Sequence, residues 1–245
     1  MLSSKNAMVT GAAGAIGRAA VKALVDMGAH VVLVDIDVGK LGEMASDFGD
    51  MVSAEPCDVG DMAAVQSVAD NALKRLGHVD VLVNAAGILS NNKLETTEID
   101  EWRRVFQINV ESAFLLSRAL VPSMANNGFG RVINISSYAA KCGGLTAGTA
   151  YTASKSAMTG LTFSIAREYA ARGVTANAIS PAYVMSPMVS EQLSAEQRDD
   201  LLSKIPVERF CTPDEVAHSI AYLASPLSGF ITGEVIDMNG GLQFD

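Results

Sequence analysis

Thr10-Gly11-Ala12-Ala13-Gly14-Ala15-Ile16-Gly17 is the stretch that decides how this 245-residue chain folds. It follows a short apolar run, Ala7 to Thr10, and opens a segment of helical periodicity from Ala15 to about Met27. Glycines at a strand-to-helix turn let the backbone bend tightly and approach a pyrophosphate. The anion then meets the exposed amides and positive end of the helix. The spacing is GxxGxxG rather than GxGxxG, and a glycine turn alone can be purely structural. Its place after the first strand of an alternating chain gives it weight.

Outward from the turn, strand and helix patterns alternate to the C-terminus. His30 to Asp35 is almost continuously apolar, as a strand buried on both faces must be. Further strands are expected at Met51–Cys57, Val79–Asn84, Gly130–Ser136, Val174–Ser180 and Glu234–Asp237. Helices are expected near Met62–Leu76, Ile99–Met124, Ala150–Ala171 and Pro213–Leu223. This order predicts an α/β fold, a Rossmann-type doubly wound parallel sheet with helices on both faces. No linker divides the chain, so residues 1–245 read as one domain. The one long interruption, about Tyr183 to Thr212, has the length of a lid or binding loop.

Composition narrows the function. A net charge of −9, without a basic cluster, disfavours nucleic acid as a partner. Cys57, Cys142 and Cys211 fit neither a disulfide framework nor zinc spacing, and His30, His78 and His218 are equally scattered. No metal is expected. No apolar run approaches the roughly 18 residues of a membrane span, and no signal-peptide pattern opens the chain. A soluble, cytoplasmic protein without a membrane partner is expected.

Asp35 closes the second strand at about the distance where a dinucleotide fold places its ribose-binding carboxylate. A carboxylate there accepts both ribose hydroxyls and repels a 2′-phosphate, which favours NAD over NADP. The bland reading is that Asp35 starts a turn. Arg18, the nearest cation, is expected to point to solvent.

Tyr151-Thr152-Ala153-Ser154-Lys155 puts a phenol and an ammonium on one helix face. A free tyrosine, with a pKa near 10, is a poor base at neutral pH, and a nearby cation lowers that value. Tyr151 could then take a proton from an alcohol or give one to a ketone. As a bare pattern YxxxK is weak.

Here it is accompanied. TGAAGAIG, Asp35, Asn84-Ala85-Ala86-Gly87, Asn109, Ser136-Ser137, YTASK and Pro181-Ala182 fall in one order that resembles the short-chain dehydrogenase/reductase family across essentially the whole chain. The resemblance implies a sheet of about seven strands and a catalytic set of Asn109, Ser137, Tyr151 and Lys155. Tyr151 would be the acid/base and Lys155 would lower its pKa and hold the nicotinamide ribose. Ser137, rather than Ser136, would bind the substrate oxygen, and Asn109 would hold a water for proton relay. Asn109 could equally stabilise a helix kink, and Ser137 could cap local backbone.

For the cofactor, the resemblance implies contacts from Gly11, Gly14, Ile16 and Gly17 at the turn, and from Asp35. It adds Asp58 and Val59 at the adenine, Asn84 and Gly87 beside the fourth strand, Tyr151 and Lys155, and Val184 and Ser186 at the nicotinamide amide. Small-for-small departures at Ala15, Ala85, Ala182 and Ser186 touch only loop geometry. A homotetramer assembled through the two long helices is implied as well.

Three variable segments would wall the substrate pocket: Leu89–Lys93, Tyr138–Thr149 and Tyr183–Ile205. Their small and polar residues suit a small-molecule polyol, sugar or hydroxy acid. The main alternative is reduction of a 3-oxoacyl thioester on a carrier protein, for which Arg103, Arg104 and Arg172 could form a basic patch. A dinucleotide-binding regulator without catalysis is the alternative from another class.

Overall fold

The structure, a computed structural model, describes residues 1–185 and 194–244. The described strands are β1 (Asn6–Thr10), β2 (His30–Asp35), β3 (Val52–Pro56), β4 (Val81–Asn84), β5 (Gly130–Ile135), β6 (Val174–Pro181) and β7 (Val235–Met238). They form one parallel sheet in the order β3-β2-β1-β4-β5-β6-β7. Successive side chains of a strand point to opposite faces, so each central strand feeds two cores. Val31 and Leu33 of β2 pack on one side, Val32 and Val34 on the other.

The first core is closed by α1 (Ala15–Asp26), α2 (Val38–Phe48) and, from the far end of the chain, α9 (Pro213–Ala224). The second is closed by α3 (Met62–Leu76), α5 (Ser112–Asn126) and α7 (Thr149–Tyr169). Helices α4 (Ile99–Phe106), α6 (Ala139–Cys142) and α8 (Ala195–Lys204) complete the set among the described residues. Strand order reverses between β1 and β4. Chain segments leaving these two strands diverge and open a crevice at their C-terminal ends, the usual ligand site of such sheets.

Two features depart from the sequence expectation, and a third adds detail to it. Helix α2 was not expected, because Gly39 and Gly42 weaken its helical propensity. It forms because Leu41 and Met44 are buried against the sheet and Asp37 caps the helix, accepting from Lys40 N at 3.0 Å. The helix expected over Ile99–Met124 is split into α4 and α5 by a π-helical turn at Gln107–Glu111. The long segment from Tyr183 to Thr212 carries the short helix α8, opened by a Ser194–Gln197 capping box.

Candidate active site

The glycine turn sits in the crevice between β1 and α1. Gly11 has φ +65°, and a Cβ on it would lie 2.9 Å from the Ala86 backbone. Gly17 is held closer still: its Cβ would fall 2.0 Å from the Gly11 carbonyl oxygen. Only glycine at 17 lets the first turn of α1 rest on the bend. Gly14 is the N-cap of α1 and has no side chain to satisfy the first amides of the helix. Ile16 packs against the core beneath them. The turn is therefore an amide cradle whose open partner is an anion.

Thr10 ties the cradle to β4. Its hydroxyl accepts from Ala85 N at 3.2 Å and Ala86 N at 3.1 Å. Sequence reasoning gave Thr10 no such role. Asp35, at the end of β2, accepts from Ala13 N at 2.9 Å and from Asp37 N at 3.0 Å, so its carboxylate is fixed at the edge of the same cradle. Arg18 is exposed, as expected, and pairs with Asp47 at the surface at 2.7 Å. Lys40 pairs with Asp37 at 3.1 Å.

Asp58 lies just beyond β3, and Val59 beside it is buried. The Asp58 carboxylate accepts from Gly60 N at 2.7 Å, and this bond, helped by Arg104 at 3.3 Å, holds it below the usual carboxylate range. Arg103 lies 3.4 Å from Asp100, and Arg172 donates to Asn126. Each of the three arginines thus has a partner close by.

Asn84, expected beside the cofactor, ends β4 at the crevice. Its side chain is buried and donates to Asn134 Oδ1 at 2.8 Å, and Asn134 donates in turn to Thr162 at 2.8 Å. This polar thread joins β4, β5 and α7 inside the core. Gly87, three residues on, does face the site. A Cβ there would lie 3.2 Å from Asn109 Oδ1 and 3.4 Å from Lys155 Nζ.

Those distances bring the catalytic candidates together. Asn109 sits in the π-helical turn, buried, accepting from Ile88 N at 2.8 Å and donating to Ile88 O and to Ser154 Oγ, each at 3.0 Å. The widened turn is what aims its amide inward. Ser154 donates to the Tyr151 carbonyl at 2.7 Å and links Asn109 to α7. Its role was missed, although it stands inside YTASK; only its burial between two helices reveals it.

Tyr151 and Lys155 lie one turn apart on α7, with Nζ 5.7 Å from the phenol ring centre. Lys155 is buried and donates to the Ile135 carbonyl at 2.8 Å. Burial lowers its ammonium to about 8. Burial also raises the Tyr151 hydroxyl above the ordinary phenol value, while a hydrogen bond with Ser137 acts in the opposite direction. The Lys155 ammonium stands beside the Tyr151 ring while it donates to a backbone carbonyl. Of the two serines after β5, Ser137 faces Tyr151, whereas Ser136 donates to the Lys155 carbonyl at 2.9 Å.

Beyond β6, Cys211 N donates to Tyr183 O at 2.9 Å and Met185 N donates to Cys211 O at 2.8 Å. In such a parallel bridge the intervening Val184 turns its own N–H and C=O away from Cys211. Ser186, the other expected nicotinamide contact, lies outside the described residues. Among the described residues no cluster of side chains could hold a metal ion, and no helix is long and apolar enough to cross a membrane.

The crevice thus offers an amide cradle for a pyrophosphate, a fixed carboxylate for a ribose, and a hydroxyl–phenol–ammonium–amide set at its inner end. A family model described as Enoyl-(Acyl carrier protein) reductase matches residues 11–243. The chain is 34% identical to 3-oxoacyl-(acyl-carrier-protein) reductase FabG of Rickettsia conorii, over 98% of each chain. It is 36% identical to the reductase of the same name from Salmonella typhimurium, over 97% of each. Nodulation protein G of Rhizobium meliloti is 35% identical, over 98% of each. A crystal structure from Beutenbergia cavernae, assigned as an NAD(P) dependent gluconate 5-dehydrogenase with bound NADP at low occupancy, superposes with a TM-score of 0.92 at 33% identity. That match covers 98% of this chain and 97% of the other.

Proposed function

This chain belongs to the short-chain dehydrogenase/reductase family of oxidoreductases, and we propose that it interconverts a secondary alcohol and a ketone on a small polar substrate with NAD(H). The observation that carries the reading is a continuous set: Asn109 and Lys155 meet at Gly87, Lys155 stands beside Tyr151, and Tyr151 meets Ser137. Gly11, Gly14, Ile16 and Gly17 would hold the pyrophosphate and Asp35 the adenosine ribose. Asp58 and Val59 would border the adenine, and Gly87, Val184 and Ser186 the nicotinamide end. When bound, the dinucleotide supplies or accepts the hydride.

The rest of the reaction belongs to this chain. Ser137 donates a hydrogen bond to the substrate oxygen and orients it toward Tyr151. In reduction the Tyr151 hydroxyl gives its proton to that oxygen as it gains charge; in oxidation the phenolate takes the alcohol proton. Lys155 holds positive charge near the phenolate, and Asn109 orders a water that returns the proton to solvent. Residues 1–245 would work as one catalytic unit.

Two carboxylates support NAD over NADP. Asp35 and Asp37 flank the end of β2, where a 2′-phosphate would sit. Lys40 is neutralised by Asp37 and Arg18 by Asp47. The relative with bound NADP keeps the phosphorylated cofactor as the competing choice.

A second reading, reduction of a 3-oxoacyl thioester carried on a protein, is favoured by the names of the curated relatives. The local pairing of Arg103, Arg104 and Arg172 weighs against a ready docking patch for an acidic carrier. The three cysteines are free, in keeping with a reducing cytoplasm.

Purified protein mixed with NAD or NADP and a panel of sugars, polyols and hydroxy acids, alongside acetoacetyl thioester with NADH or NADPH, decides between them. NAD-linked oxidation of a polyol or hydroxy acid, abolished in Tyr151→Phe, is the expected result. Activity confined to the thioester and NADPH would replace it with the second reading.

A further inference from the structure

We propose that Lys93 is a positioning residue for the substrate side of the site, clamping the loop before α7 and so fixing the start of the helix that carries Tyr151. Its catalytic consequence rests on the oxidoreductase reading above; the clamp itself does not.

Read in sequence, Lys93 is one polar residue of a pocket-lining strap that leaves β4. In the structure its ammonium is committed elsewhere. It donates to Gly144 O at 2.8 Å and Ala147 O at 2.7 Å, with Leu145 O at 3.4 Å. An ammonium has three protons, and here three loop carbonyls surround it. Lys93 is therefore no spare cation for an anionic substrate. It supplies the hydrogen bonds that a glycine-rich loop lacks within itself, and charge-assisted bonds of this kind are stronger than neutral ones.

The same two segments are joined by backbone. Gly148 N donates to Ser90 O at 2.6 Å and Thr149 N donates to Asn92 O at 2.9 Å. The approach is close: a Cβ at Gly148 would lie 2.4 Å from the Asn92 carbonyl oxygen. On the opposite side Glu101 of α4 accepts from the Ser90 hydroxyl and from Asn92 Nδ2, the latter at 2.7 Å. The strap is thus anchored to α4 at one edge and grips the loop at the other. Thr149 is the first residue of α7, and Tyr151 stands in the same turn. Loosening the grip frees one wall of the pocket and lets the phenol wander from its attack geometry, to which rates are sensitive.

The test compares wild type, Lys93→Met and Lys93→Arg by amide hydrogen exchange, with NADH affinity by fluorescence and turnover on acetoacetyl thioester or the best substrate found. In Lys93→Met, amides 144–149 should exchange about tenfold faster or more while the sheet strands keep their protection. NADH affinity should stay within about twofold, KM should rise more than kcat falls, and Lys93→Arg should recover most of both effects. Unchanged exchange at 144–149, or exchange accelerated equally everywhere, would overturn the clamp. Local loosening with an unchanged KM would overturn its link to the substrate. Exchange and NADH binding need no substrate, so the clamp can fail or stand whatever becomes of the proposed reaction.

Discussion

At the scale of single residues, the site is built by burying groups that would be cheaper in water. Lys155 is the clearest case: an ammonium enclosed in the core with a backbone carbonyl as partner. Its folded pKa of about 8 lies below its ordinary 10.5, so between these values the unfolded chain binds more protons. Stability attributable to this lysine therefore rises as pH climbs from about 8 to 10.5, and below about 8 the buried charge is a full burden. Lys155→Met should abolish turnover yet raise Tm at pH 7 by about 2–4 °C for each kcal/mol recovered. That gain should shrink as pH approaches 10.5. Paired thermal melts across this pH range check it; a lower Tm for the variant at pH 7 would contradict the burden.

At the scale of elements, the resting of α1 on the glycine bend decides whether the cradle exists. Gly17→Ala puts a methyl 2.0 Å from a backbone oxygen that cannot swing aside, so α1 must shift off the turn. Overpacking of this kind costs about 1–3 kcal/mol, and dinucleotide affinity should fall with it. Calorimetry and NADH titration of the variant read both; a neutral substitution would mean that α1 is not seated as described. The strands were legible as near-continuous apolar runs and α1 as helical periodicity after the glycine turn. Helix α2 was hidden by Gly39 and Gly42, whose cost is offset by tertiary burial of Leu41 and Met44. The π-helical turn was hinted at only by Asn109 as a polar residue at a possible helix kink, since the bonds that hold it run to Ile88 and Ser154 in distant segments. Within the site, Tyr151 and Lys155 were legible from their i, i+4 spacing, and Ser137 from the family resemblance. The inward turn of Asn84 and the grip of Lys93 depend on partners a sequence does not align.

At the scale of the whole molecule, several large apolar side chains remain uncovered. Phe114 on α5 and Phe163 on α7 are each 47% exposed, and Leu227 and Phe230 before β7 are almost fully exposed. Phe114 and Phe163 lie on α5 and α7, the helices through which the family resemblance implies a homotetramer, and we propose that they are covered there. Light scattering should give four times the chain mass, and Phe114→Glu should lower it; a monomer at micromolar concentration would contradict the assembly. The most direct test of the account is a fluorescence titration of the purified protein with NADH and with NADPH, in wild type and Asp35→Ala. An Asp35 carboxylate held between Ala13 N and Asp37 N predicts that wild type binds NADH at least about tenfold more tightly, as unpaired carboxylate–phosphate contact demands. Asp35→Ala should narrow that gap. Tighter binding of NADPH by wild type, or no binding of either dinucleotide, would contradict it.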